Sequence, residues 1–172
     1  AGCEPVFADI DPDTLNLDPR SVPAALGKRS VGILPVHCYG HACDTEALAA
    51  LARTHGLRVV YDAAHAFGVR QGGRSLAAHG DLSVISFHAT KVFNTFEGGA
   101  IVCDDPQLKQ RIDRFKNFGI VNELHVEAEG FNAKMSELHA AVGLAQLAHI
   151  DEALTARLAV AARYREALAG LP

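Results

Sequence analysis

What this sequence lacks narrows its class before any motif is read. Its four cysteines, Cys3, Cys38, Cys43 and Cys103, contain no C-x-x-C pair, so the spacing of a redox dithiol or zinc knuckle is missing. Cys38 and Cys43 lie close to His37 and His41, but without the tight ligand pairs of a zinc site. Free thiols in a cytoplasmic protein, and no metal, are the expectation. No apolar run reaches the length of a membrane span. Glu4, Pro5 and Asp9 interrupt the first ten residues, where a secretory leader would need an apolar core. A basic surplus is also absent. The net charge of −4 at pH 7 gives no electrostatic basis for nucleic acid or an anionic membrane as partner. No internal repeat or low-complexity tract occurs.

What is present suits a globular enzyme: 172 residues, 49% of them hydrophobic, are enough to bury a core. Strand and helix signals alternate, which predicts an α/β fold with a mostly parallel sheet and covering helices. Residues 5–9 and 31–36 read as strands, and Ser21 as the cap of a short helix reaching Leu26. Asp44 caps a helix through Thr54 that His55-Gly56 closes. Two further strands end at Asp62 and Ser86, and residues 99–103 form another. Asp105-Pro106 opens a helix with proline at its favoured first position. Residues 120–130 are polar and acidic without a clean period, and read as an excursion or mobile loop. Residues 136–150 then predict a helix capped by Ser136, with Leu138, Ala141, Val142, Ala145 and Leu147 as its apolar stripe. Residues 151–168 predict a last, alanine-rich helix, with Leu154 and Leu158 on one side and Arg157, Arg163 and Arg165 on a solvated face.

The chemistry concentrates at two strand ends. The buried strand ending in Ser86 runs into Phe87-His88-Ala89-Thr90-Lys91, and Glu97-Gly98-Gly99 follows. A lysine just past the carboxyl end of such a strand stands where open α/β sheets place their ligands. Burial would lower its pKa and make a nucleophilic amine able to form a Schiff base. The other strand, Val59-Val60-Tyr61, ends in Asp62-Ala63-Ala64-His65. An acid there needs a cationic partner, because burying a lone carboxylate is costly. The protonated ring nitrogen of pyridoxal phosphate is such a partner. Taken singly, Asp62 could equally be a helix cap, Lys91 a solvated loop charge and His65 a core histidine.

Together the motifs carry a resemblance. Pro35-Val36-His37, Tyr39-Gly40, Asp62-Ala63-Ala64-His65, Ser86-Phe87, Thr90-Lys91, Glu97-Gly98-Gly99-Ala100, Gly130-Phe131-Asn132, Glu137 and Ala140-Ala141 stand in order over nearly the whole chain. The sequence resembles the sugar aminotransferases of the DegT/DnrJ/EryC1/StrS family. The resemblance implies the central part of the large domain of a fold-type-I, aspartate aminotransferase-like enzyme with pyridoxal 5′-phosphate as cofactor. Residues 1–150 would belong to that domain, and 151–172 would lead toward a smaller C-terminal domain. Lys91 matches the catalytic, cofactor-holding lysine and Asp62 the acid at the ring nitrogen. Ser86 matches a hydroxyl on the cofactor phosphate, and Asn132 an asparagine that reaches the phosphate from the neighbouring subunit of a homodimer. His65 stands where glutamine is commoner, near the ring oxygen; both side chains hydrogen-bond.

The resemblance further implies transfer of an amino group from an amino-acid donor, with glutamate expected, to a nucleotide-linked keto-sugar. Such a reaction serves surface-polysaccharide or antibiotic-sugar biosynthesis. The strings His88-Ala89-Thr90-Lys91-Val92-Phe93-Asn94-Thr95 and Asn132-Ala133-Lys134-Met135-Ser136-Glu137 resemble the branch acting on dTDP-4-keto-6-deoxyhexoses. Other readings are a dehydratase of the same family, against which Lys91 argues, a non-catalytic regulatory member, and a phosphate-binding domain with Ser86 and Lys91 as anion ligands. The resemblance also makes the chain the middle of a longer enzyme, so these residues alone are not expected to be active.

Overall fold

In the computed structural model, which describes residues 2–171, Val22–Ala25 (α1) is a single helical turn and Gly32–Ile33 (β1) the first strand. Thr45–His55 (α2) follows. Its Asp44 cap accepts a hydrogen bond from the Ala47 backbone N–H at 3.0 Å, and Gly56 closes it in a left-handed conformation. Arg58–Asp62 (β2) is succeeded by a small hairpin, Arg70–Gln71 (β3) and Arg74–Ser75 (β4). Leu82–Ser86 (β5) and Gly99–Val102 (β6) complete a sheet of order β1-β2-β5-β6. β1, β2 and β5 are parallel and β6 runs antiparallel to β5, so the sheet is mostly parallel, as expected.

Downstream, Pro106–Phe115 (α3) is capped by Asp105, whose carboxylate accepts from the Gln107 and Leu108 N–H groups. Ile120–Asn122 (β7) and His125–Val126 (β8) pair as a hairpin. Glu137–Leu147 (α4) and Ile150–Ala167 (α5) end the chain. The chain falls into two compact units: the residues up to Ser86 with Gly99–Lys134, and Phe87–Gly98 with the residues from Met135 onward.

The core of the first unit lies between α2 and the sheet. Leu48 and Ala52 from α2 join Ile33, Val59, Tyr61, Leu57, Val22 and Cys43 in one buried cluster. Strand alternation explains the division: Val59 and Tyr61 of β2 are buried, while Val60 and Asp62 are half-exposed. Asp62 is paired in register with Val84, and Val84 with Ile101. These three share the opposite face of the sheet, where Val84 and Ile101 are 42% and 48% exposed.

Five expectations change. Residues 5–9 form no strand, and Phe7 is exposed; apolar residues need a neighbouring strand to pair with, and only Ile10 makes an isolated bridge, to Leu17. Residues 31–36 shrink to β1 plus a bridge from Val36 to Asp62, because Pro35 has no N–H to give the ladder. Residues 120–130, read as an excursion or mobile loop, contain a short hairpin. Asn122 accepts the Leu124 N–H at 3.0 Å in an Asx turn that folds β7 onto β8. The stripe read for α4 does not become its buried face: Leu138 and Leu147 are exposed, and the covered residue is Gly143. Ser21 precedes α1 but does not cap it, since its hydroxyl donates to the Asp9 and Asp18 carbonyls.

Candidate active site

The acid of the first unit is fixed by its backbone. The Asp62 N–H donates to the Pro35 carbonyl and its carbonyl accepts from the His37 N–H, both at 2.9 Å. One step on, the Ala63 N–H donates to Val84 at 2.8 Å. The strand end at Asp62-Ala63 is thus hydrogen-bonded on both sides, and the Asp62 Oδ1 accepts the Ala64 N–H at 2.9 Å. Ser86 lies two residues beyond the register partner of Asp62, on the same face, about 7 Å further along the strand. Acid and hydroxyl therefore leave one sheet face at the carboxyl ends of adjacent parallel strands, where such sheets hold ligands. Both are half-buried.

A buried histidine supports this strand end from the other side. The ring of His37 is fully buried and stacks on Tyr61, centroids 4.6 Å apart and planes 6° from parallel. Its Nδ1 accepts the Cys43 N–H at 3.1 Å, which places the ring proton on Nε2 in the neutral form. Burial, reinforced by the neighbouring His79, pushes its pKa down to about 4. Burial likewise pushes the Cys43 thiol up to about 12, so this cysteine is a packed, unionised group. His65 is exposed, and its ring lies nearly parallel to that of Tyr39 with centroids 6.3 Å apart. Asn132 is exposed as well. It bridges Asn117, on a segment pinned to the end of α3 by hydrogen bonds from Phe131 to Phe115 and from Ala133 to Lys116.

Lys91 belongs to the second unit, on the loop that runs from Phe87 to Gly98. Phe87 and Gly98 close the loop through a 2.9 Å backbone bond, and the Thr95 N–H donates to Phe87 at 2.9 Å. Gly98 has φ 146°, and a Cβ there would meet Thr95 Oγ1 at 2.7 Å and Met135 Cε at 2.9 Å, so only glycine closes the loop this tightly. Inside the loop, Phe93 is buried edge-on to Phe87, 4.9 Å between centroids, and Thr95 is buried with its hydroxyl donating to the Glu97 carbonyl at 2.7 Å. Lys91 itself is half-buried and donates its N–H to His88 at 2.9 Å. Among the described residues, neither the Lys91 ammonium nor the Asp62 carboxylate is in an ion pair.

The profile of the DegT/DnrJ/EryC1/StrS aminotransferase family matches residues 1–172. The chain belongs to that family. A dTDP-4-amino-4,6-dideoxy-D-glucose transaminase of Shigella dysenteriae is 54% identical over 167 residues, 97% of this chain and 46% of the relative. A dTDP-3-amino-3,4,6-trideoxy-alpha-D-glucose transaminase of Streptomyces venezuelae is 41% identical, covering 99% of this chain and 45% of the relative. The crystal structure of DesI with its TDP-sugar product superposes with a TM-score of 0.93 at 48% identity, over 99% of this chain and 44% of that one. The chain spans about half the length of the curated relatives it matches.

Within the second unit, sequence reasoning passed over Gly143 and Gln146 and quoted Asn94 only as part of a motif string. Asn94 and Gln146 face each other as an amide pair, and Gly143 lies beneath the lysine loop. The available signal was a glycine and a glutamine three positions apart on one helix face among alanines and leucines.

Proposed function

We propose that the full-length protein is a pyridoxal 5′-phosphate-dependent aminotransferase that moves an amino group from glutamate to a dTDP-linked 4-keto-6-deoxyhexose. The observation that carries this reading is the amine of Lys91, past the end of β5, in a chain 54% identical to a dTDP-sugar transaminase. The residues fit the cofactor. A half-buried carboxylate without a cationic partner among the described residues, at the end of β2, suits a protonated ring nitrogen. Ser86, on the same face, offers a hydroxyl to a phosphate.

When bound, pyridoxal phosphate supplies an electron sink for carbanionic charge. Lys91 would hold the cofactor and would carry a proton to and from the substrate carbon as general base and acid. Asp62 keeps the ring nitrogen protonated, and its pinned backbone holds the carboxylate in place. His65 hydrogen-bonds the ring oxygen, and Asn132 serves the phosphate of a second subunit in a homodimer. Residues 1–150 serve as the central part of the cofactor domain, with 151–172 leading toward the smaller one. No described helix is long and apolar enough to cross a membrane, and a cytoplasmic enzyme acting on a nucleotide-linked sugar agrees with that.

The test is an absorbance spectrum of the full-length protein with pyridoxal phosphate, before and after glutamate, beside Lys91→Ala. A visible band that shifts with glutamate and disappears in the variant is the expected result. An unchanged band with glutamate would favour the dehydratase or regulatory readings. A band that survives in Lys91→Ala would refute the assignment of Lys91.

A further inference from the structure

The contacts that fix Lys91 converge on one face of α4. Gln146 Nε2 donates to Asn94 Oδ1 at 3.2 Å, and Asn94 Nδ2 returns a longer bond to Gln146 Oε1 at 3.5 Å. The same Asn94 amide nitrogen reaches the Lys91 carbonyl at 3.5 Å, and its oxygen accepts the Phe96 N–H at 3.4 Å. Asn94 thus links the backbone on both sides of itself to a helix 52 residues further along the chain. One helical turn before Gln146, Gly143 is buried, and a Cβ there would meet Thr95 Cγ2 at 2.9 Å and Phe93 Cζ at 3.6 Å. Residues three apart share a helix face, so Gly143 admits the loop and Gln146 fastens it. Ser136 anchors the start of α4, its hydroxyl accepting the His139 N–H.

An amide pair bonded in both directions constrains the plane of each group as well as their separation. Paired amides are a costly way to fill such a contact unless orientation matters, because each loses water and side-chain freedom for a modest net gain. The group whose orientation matters here is Lys91, since a reacting amine displaced by about 1 Å loses rate on the order of 100-fold.

We propose that Gln146, acting through Asn94, is a positioning residue that sets the backbone of Lys91 for reaction with the cofactor. This rests on Lys91 being the cofactor lysine, and its test separates the two ideas. Four full-length variants are compared with wild type: Gln146→Met, which keeps the packing and removes the amide; Asn94→Leu, which does the same from the loop side; the exchanged pair Asn94→Gln with Gln146→Asn, which keeps both amides and their summed length; and Lys91→Ala. Hydrogen–deuterium exchange of residues 91–96 is followed without cofactor, and the rate of cofactor capture from its visible band.

Both single amide variants are expected to exchange about tenfold faster in the loop and to capture cofactor about 10- to 100-fold more slowly. The exchanged pair is expected to recover most of both, which a merely space-filling role would not produce. Wild-type exchange and capture in either folded single variant would overturn the proposal. So would failure of the exchanged pair to outperform both. If Lys91→Ala still captures cofactor, the reading of Lys91 fails, while the exchange data still report on the amide pair.

Discussion

In the sheet-bearing unit, Leu48, Tyr61, Ala63 and Leu76 are at most 1% exposed, whereas in the unit carrying Lys91 helix α5 buries no residue, and Leu144, Leu158 and Tyr164 are each at least 66% exposed. The two units hold their functional groups by different means. Asp62 and Ser86 stand on strands whose backbone hydrogen bonds and core packing fix them before any side chain contributes. Lys91 stands on a loop held by a few specific contacts: the Phe87–Gly98 closure, Phe93 and Thr95 over Gly143, and the Asn94–Gln146 pair. Damage to the first unit should therefore be read mainly in stability, and damage to the second mainly in the reactivity of one amine.

Asp62→Ala tests the exception, a residue of the first unit whose proposed role is chemical. It is expected to lower transamination by roughly 100- to 1,000-fold with little loss of melting temperature, because the pinned groups are its backbone N–H and C=O. Steady-state kinetics beside a thermal melt would check it. Next in size is a pair of truncations. Leu48→Ala should destabilise by about 2–5 kcal/mol through a cavity under α2, and Leu158→Ala on α5 should stay within about 0.5 kcal/mol. Equal losses in urea titrations would erase the contrast between the units.

Acid should also act on the first unit. His37 has an ordinary pKa of 6.5 pushed down to about 4 by burial. Above pH 6.5 the ring is neutral whether folded or unfolded, so its stabilising packing is intact. Between pH 6.5 and 4 the unfolded ring binds a proton that the folded ring refuses, and stability falls by about 3 kcal/mol in total. His37→Gln, which can still accept the Cys43 N–H, should flatten that part of the stability–pH curve. The smallest effect belongs to the second unit. Gly143→Leu forces the lysine loop off α4, with an overpacking cost of about 1–3 kcal/mol and faster hydrogen exchange confined to residues 87–98.

Much of this was legible because it obeys local rules. Asp44, Asp105 and Ser136 cap the helices that their positions announce, and the strands ending at Asp62 and Ser86 follow from short β-rich runs. Their parallel pairing was less direct, because a small hairpin and a short turn at Leu76–Ala78, not an α-helix, connect them. What was not legible depended on partners distant in the chain. Whether residues 5–9 pair, or which side of α4 is covered, is decided by neighbours that hydrophobic periodicity does not reveal. The α4 stripe shows the difficulty: leucines marked one face, but contact with the lysine loop selected the face bearing Gly143 and Gln146. The proposed site residues were chosen through motif order, and their individual surroundings were not visible in it.

The most direct test of the account is to reduce the cofactor-loaded full-length protein with borohydride, digest it and locate the cofactor by mass spectrometry. The account predicts the added mass on Lys91 alone. Its appearance on any other lysine, or on none, would contradict it.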